Sequence, residues 1–424
     1  MNKNSIANKK PQYLSKIFTI LIIMMQPLNV YTTFIPNVAF GEFLMIVLLV
    51  VLLLDMIIVR RGNARINIFI IYVIYSLMVS AIIFIFIRIG NGESIKRLIR
   101  DGFYLSLFFI FGVNYFNYDY GIKLYKSIAI ALSIYIILQF LLYKLFRYHL
   151  YGFFPFLSIN VSNITGSELM AHVLKMAKMD GYLRPNGFLI EPAACAQYIS
   201  PALIVYLFEH DNSLASNYEY KNIVLIITAM LLTVSANAYI SLFFILFVWS
   251  ISKLSKNKIS KKLLAIIILL LITGTLFLAV SNLGKDIVNR FLSLLTNEQT
   301  QGSAPIRVLR GMAFYFAMPF GFQIFGIGFG NFIKFKFVFN INTVYETMDE
   351  YFNTNAYILI SIGIIGFCIY LYSIFKLTKN KKFQSKVLVF LLLLFGLSSS
   401  IYSTPTFILT LLLIYSTPYK EKLI

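Results

Sequence analysis

The chain has 424 residues, 59% of them hydrophobic and only 13% charged, with a mean hydropathy of +0.79 and a formal net charge of +20. Soluble domains run about 45–50% apolar and about 25% charged, so a soluble enzyme, a disordered tail and a disulfide scaffold are all excluded. The apolar residues fall in long runs of Ile, Leu, Phe and Val, which predicts an all-α polytopic membrane protein. A membrane barrel would alternate in segments of roughly ten residues. Cys195 and Cys368 lie inside or beside apolar runs, and no two of the three histidines are three or four residues apart. Neither a disulfide nor a metal site is therefore expected.

Crossing the hydrocarbon takes about 20 apolar residues. In chain order this places spans near 16–32, 41–59, 66–87, 103–115, 127–145, 192–208, 222–234, 238–251, 263–281, 354–375, 387–400 and 405–416, about twelve in all. The region 224–248 also reads as one element kinked around Ser235-Ala236-Asn237. Lys3, Lys9, Lys10 and Lys16 precede the first span, and Arg60, Arg61 and Arg65 follow the second. Lys253, Lys256, Lys258, Lys261 and Lys262 follow the eighth, and Lys376, Lys379, Lys381, Lys382 and Lys386 the tenth. Every cluster arrives after an even number of spans, so one orientation, with both termini cytoplasmic, satisfies them all. Anionic membrane lipid accounts for this charge, and no nucleic-acid partner is needed. The first span has no small-residue cleavage site after it and is read as retained.

Residues 1–424 thus form a single integral membrane domain with two long external segments, 146–191 and 282–353. Structureless connections above about 12–15 residues tend to be functional. In the first segment, apolar residues at 169, 170, 173, 174 and 177 predict a helix over 168–178, with Ser167 as cap and Gly181 as stop. Such a helix lies in the outer interface with its apolar face in lipid, either anchoring the loop or guiding a lipid-linked substrate. Arg184 and Glu191 then flank a Gly/Pro turn just before Pro192 opens a span. Arg suits phosphate or carboxylate, and a partly desolvated Glu191 suits a general base. An Arg184–Glu191 ion pair that merely ties the loop down reads equally well.

The second segment holds Arg307 and Arg310, then glycines 321, 326, 328 and 330. Gly326 and Gly328 would let backbone amides approach a phosphate, although a tight turn between re-entrant pieces explains them better. Glu346, Asp349 and Glu350 are either a solvated rim or ligands for sugar hydroxyls or a cation. The short connection after the third span carries Arg88, Lys96, Arg97 and Arg100 against Glu93 and Asp101, contrary to the orientation bias. Either the span count is off by one, or the cations serve a ligand, and a pyrophosphate at the outer leaflet would account for them in that place.

These motifs resemble a family. Arg184-Pro185-Asn186-Gly187-Phe188-Leu189-Ile190-Glu191-Pro192 looks like the Arg-x-x-Gly … Glu-Pro signature of Wzy-type polysaccharide polymerases. Arg307, Pro319 and Gly326-Ile327-Gly328-Phe329-Gly330-Asn331-Phe332 are similar to the second-loop motif of the O-antigen ligase/polymerase superfamily, and 355–366 to its closing Asn-x-Tyr-Leu … Gly-x-x-Gly stretch. Ligases of that superfamily carry a histidine just before that asparagine, where this chain has Thr354.

The resemblance implies a GT-C-like membrane glycosyltransferase of the bacterial cytoplasmic membrane. It would join oligosaccharide repeat units carried on undecaprenyl pyrophosphate, for capsule or O-antigen, without cofactor or metal. Arg184 and Arg307 are assigned to the pyrophosphate, with Arg310 in reserve, and Glu191 to the acceptor. Arg88, Arg97, Arg100, Gly326, Gly328 and Asn355 complete the expected substrate-binding set. Implied partners are the chain-length regulator and flippase of the same pathway. A ligase is the nearest alternative, and a flippase or other transporter the alternative of a different class. Carriers place charges within spans, whereas here the charges sit in the external segments.

Overall fold

The computed structural model describes residues 12–59, 68–87, 92–159, 166–180, 183–209, 217–254, 303–341 and 352–419. Among them the chain is helical, with isolated bridges but no sheet, as the composition predicts. Helix α1 spans Gln12–Leu28, α2 Phe40–Val59 and α3 Ile68–Ile82, with a π-helical turn, Ile83–Ile87, continuing α3. Helix α4 (Gly92–Ser106) runs through a second π-helical turn, Leu107–Gly112, into α5 (Val113–Tyr115). Next come α6 (Tyr118–Phe146), α7 (Gly166–Asp180), α8 (Pro192–Phe208), α9 (Asn217–Leu232) and α10 (Ala236–Leu254). Then follow α11 (Ser303–Ala317), α12 (Phe320–Phe325), α13 (Phe332–Val338), α14 (Thr354–Lys376), α15 (Phe383–Ser398) and α16 (Pro405–Ser416).

Local chemistry sets several of these starts. The side chains of Asn117, Asn353 and Thr404 cap α6, α14 and α16 by accepting from the amides of Tyr120, Ala356 and Phe407. Pro192 and Pro405 sit in the first turn, where the missing amide costs nothing.

Among the described residues four helices are long and apolar enough to cross a membrane: Phe40–Ile58, Tyr118–Phe146, Ala236–Lys253 and Thr354–Lys376. Shorter apolar helices lie at Gln12–Leu28, Ile70–Ile85, Pro192–Phe208, Phe383–Ser398 and Pro405–Ser416. The span expected at 263–281 falls outside the described residues. The predicted span at 103–115 is the second half of one longer element that starts at Gly92. The 224–248 region is two helices, α9 and α10, rather than one kinked helix.

Helix α8 is the central pillar, buried without interruption from Cys195 to Phe208. A helix apolar on every side belongs inside a bundle, and α6, α9, α10 and α15 surround it. By contrast, α2 exposes Val47, Val50, Leu54, Ile57 and Ile58, and α3 exposes Ile71, Ile74 and Met78. Apolar stripes of that kind suit lipid rather than water.

Contacts between connections sort the bundle into two ends. At one end Thr32 donates its amide to the Ser158 carbonyl (3.1 Å), and the Phe154 amide donates to the Tyr31 hydroxyl (3.3 Å). Arg184 reaches Val234, Asn237 reaches Ser399, and Ser403 reaches Asp101, all at that same end. At the other, Lys126 pairs with Glu209 and the Lys382 amide donates to Pro418 (3.1 Å). Each connection among the described residues falls at the end that alternation along the chain requires. The first is the motif end and the second the lysine end.

Candidate functional site

Among the described residues of the two long segments, several form helices. In the first, α7 forms where the periodicity places it, but its apolar face is not turned to lipid. Met170 is fully buried, and Val173 and Leu174 pack on Tyr143 and Leu183. The protein itself offers that stripe a better cover than the interface would.

The Arg184 turn is pinned from beneath by Gln139 of α6. The Gln139 Oε1 accepts from the Gly187 amide (2.8 Å), while its Nε2 donates to the Leu150 and Gly187 carbonyls (3.0 and 3.2 Å). Asn186 closes the turn by donating to the Leu189 carbonyl (2.7 Å), and the Cys195 thiol donates to the Asn186 carbonyl. Gly187 has φ +60°, and a Cβ there would lie 2.2 Å from Leu132, so only glycine fits. Gln139→Leu strands the buried Gly187 amide, which costs about 1–3 kcal/mol. A matching drop in stability, seen as a lower melting temperature in detergent, checks this.

Arg184 is half-buried and donates from Nε to the Val234 carbonyl (3.1 Å). It makes no ion pair with Glu191, which corrects the expected tether. Glu191 occupies the cap position of α8 with its side chain exposed and making no capping bond. Val234 holds φ +47°, a costly conformation for a β-branched residue. Backbone outliers of that kind cluster at functional sites, and this one is braced by Arg184.

The glycine-rich stretch is a re-entrant turn. Helix α14 is broken at Gly363 (φ +66°, ψ −178°), which frees the carbonyls of the preceding turn. The amides of Ile327 and Gly328 fill them, donating to Ile360 (3.1 Å) and Ser361 (2.8 Å). The Gly326 amide closes α12 onto Phe322 (2.8 Å), and the Phe329 amide reaches the Ser80 hydroxyl (3.2 Å). The amides of Gly326 and Gly328, expected to cradle phosphate, are thus consumed by the fold. A turn wedged into a helix break must satisfy that break first.

Asn355 also belongs to packing. Its Nδ2 donates to the Leu393 carbonyl of α15 (3.1 Å), and a Cβ at Gly396 would lie 2.5 Å from its Oδ1. Thr354 anchors the connection between α15 and α16. Its hydroxyl donates to Ser399 (3.0 Å) and accepts from the amides of Ile401 (2.7 Å) and Tyr402 (3.1 Å).

Two of the arginines that defied the charge bias lie on α4 with carboxylates beside them. Arg100 contacts buried Glu42 at 2.8 Å, and Glu42 also accepts from the Tyr104 hydroxyl (2.6 Å) and the Ala39 amide (3.0 Å). A structural partner therefore accounts for Arg100, in place of the expected ligand. Arg97 lies 3.5 Å from Asp101, donates from Nε to the Tyr357 hydroxyl (3.1 Å) and rides 5.0 Å above that ring. The turn from Arg88 and the acids 346, 349 and 350 lie outside the described residues.

Arg307 and Arg310 share α11, three residues apart and so on neighbouring positions of one face. The Arg310 side chain is half-buried, while that of Arg307 lies outside the described set. Their helix comes close to the head of α14, because a Cβ at Gly311 would lie 2.4 Å from Ala356.

A chain of contacts therefore runs from the Arg184 turn to Arg97. Arg184 holds the α9–α10 turn, Asn237 of the adjoining α10 donates to Ser399 (2.8 Å), and Thr354 and Ser403 lead on to Asp101 and Arg97. Below it lies an aromatic floor: Phe329 stacks on Tyr402 (5.5 Å), Tyr357 flanks both, and the Tyr72 and Tyr402 hydroxyls meet at 2.9 Å. Sequence reasoning did not single out Asp101 as a site residue, nor Gln139, Glu42, Tyr72 or Tyr402. Gln139 and Glu42 carried the one available signal, a polar residue inside an apolar run. Compared with known families and curated proteins, the chain matches no family model and no curated sequence.

Proposed function

We propose that this protein is a Wzy-type polysaccharide polymerase. It joins undecaprenyl-pyrophosphate-linked repeat units at the outer face of the bacterial cytoplasmic membrane, through about twelve spans in a GT-C-like arrangement with both termini cytoplasmic. The observation that carries this reading is the gathering of all three motif segments at one end of the bundle. The Arg184 turn leads to the head of α14 through the α9–α10 turn, Asn237 and Ser399, and the glycine turn bonds to Ile360 and Ser361 of the same helix. A donor held by its pyrophosphate at a lipid surface needs cations at one such end.

In this reading the acceptor hydroxyl of one lipid-linked unit attacks the anomeric carbon of the other. The bond from that carbon to the pyrophosphate oxygen breaks, undecaprenyl pyrophosphate leaves, and the acceptor proton passes to Glu191 or water. Arg184 and Arg307 stabilise the charge developing on the leaving pyrophosphate, with Arg310 on the same helix as Arg307. Glu191, exposed beside the Arg184 turn, orients the acceptor. The chemistry asks for positioning and charge and no metal. Thr354 disfavours a ligase, because the place of that family's histidine is taken by a hydroxyl already engaged with Ser399, Ile401 and Tyr402.

Sizing lipid-linked and surface glycans from a deletion strain, beside a complemented one, tests the reading. Single repeat units without a ladder are the expected outcome. Full-length polymer stranded on its carrier would mean a ligase, and units trapped on the cytoplasmic side a transporter.

A further inference from the structure

Asp101 sits at the inner edge of the motif end, just before the predicted span that begins near Phe103. It is 4% exposed, and one carboxylate oxygen accepts from the Ser403 hydroxyl and lies 3.5 Å from the Arg97 Nε as an ion pair. The other oxygen is buried without a hydrogen-bond partner. A carboxylate rarely stays half-satisfied in a packed bundle unless it serves something beyond packing. What it serves here is geometry. Arg97 is a long, flexible cation, and Asp101 and the Tyr357 ring together fix its plane where it emerges beside the head of α14. Its side chain remains 30% exposed, against 5% for Asp101.

We propose that Asp101 is a positioning residue that holds the Arg97 guanidinium for the donor's pyrophosphate. The inference rests on the polymerase reading. The charged carboxylate aligns Arg97, and a neutral one releases it. The groups facing Asp101 are Arg97 and Arg100 on its own helix, Tyr402 and Ser403 from the α15–α16 connection, and Tyr72 from α3. Burial pushes the Asp101 carboxyl up to about 6, against the lowering influence of Arg97, Ser403 and Arg100. Its charge state therefore changes within an accessible pH range.

The test uses the full-length protein in vesicles supplied with lipid-linked repeat units between pH 5 and pH 8. For the wild type, the apparent KM for the donor should fall as pH rises through about 6, with kcat little changed. Asp101→Asn should remove that pH limb and raise KM roughly tenfold, and Arg97→Ala should raise it similarly. The double variant should be no worse than either single one, since both remove the same interaction. A wild-type KM and pH limb in Asp101→Asn, or additive losses in the double variant, would overturn the proposal.

A second arm separates this idea from the function it rests on. Thermal stabilisation by undecaprenyl pyrophosphate alone, measured in the same vesicles, needs no turnover and should show the same pH limb. If the wild type binds with that limb but never polymerises, the polymerase reading fails and the Asp101 role stands. If binding is independent of pH, or unchanged in Asp101→Asn, the Asp101 role fails whatever the activity.

Discussion

Arg184→Ala, and separately Arg307→Ala, should abolish the polymer ladder while leaving the protein in the membrane at near wild-type abundance. Removing one preorganised charge-stabilising group from a transfer site typically costs about 10²–10³ in rate. A ladder needs many successive transfers, so a loss of that size leaves single repeat units. Arg184 is half-buried, and its Nε donates a hydrogen bond to the Val234 carbonyl that alanine would lose. Arg184→Lys separates charge from geometry. It keeps the cation but loses the planar fork that can brace Val234 and face a phosphate together, so most of the activity should still be lost. Abundance in isolated membranes and the glycan ladder are read from the same cells. Normal-length chains from either alanine variant would remove that arginine from the mechanism.

Gly326→Val should have the largest effect on the fold itself. Gly326 has φ +89°, and a Cβ there would lie 2.3 Å from the Ser361 carbonyl oxygen and 2.5 Å from the backbone of Ile362. The nearest atoms are all backbone, so no flexible side chain can give way. A β-branched residue at that φ costs on the order of 1–3 kcal/mol in strain alone, and the overlap adds about 1–3 more. The turn would withdraw from the break in α14, stranding the Ile360 and Ser361 carbonyls that it satisfies. The expected result is a protein that fails to accumulate, or melts far below the wild type in detergent. Gly321→Ala is the matched comparison. That glycine lies in the short helix α12, where a Cβ would meet nothing within 4 Å, and alanine there should be neutral or slightly stabilising. Equal melting temperatures for Gly326→Val and wild type would mean that the turn does not enter the break.

Asp101 also has a signature in stability. Its carboxyl is raised by burial, so the folded state binds the proton more tightly than the unfolded one. That contribution is complete below the unfolded value near 4 and is lost as pH rises through about 6. Asp101→Asn should flatten this window, and melting temperatures from pH 4 to pH 7 check the sign.

The helical class, most helix positions and the alternation of connections between two ends were readable in the sequence, for a simple reason. Lipid leaves each span no choice but to satisfy its own backbone and to be apolar for most of a bilayer thickness, and both demands are local. Caps such as Asn117 and Asn353 are local too. The cations of the short connection after the third span stood out in the sequence as well, because a cation set against the orientation bias needs a reason wherever it sits.

What each of these groups touches was decided only by the tertiary structure. Gly326 and Gly328 read as a tight turn or an anion cradle, and only the break in α14 decides for the turn, while Asn355 read as a ligand but spends its Nδ2 on the Leu393 carbonyl of α15. Arg184 and Glu191 are close in sequence but part company because Val234, fifty residues further on, takes the arginine. Asp101 and Ser403 lie 302 residues apart, and nothing in either local pattern calls for the other. Hydropathy and periodicity are sums over neighbours along the chain. Hydrogen bonds and ion pairs form between atoms within about 4 Å in space, and only the packed bundle fixes which ones those are.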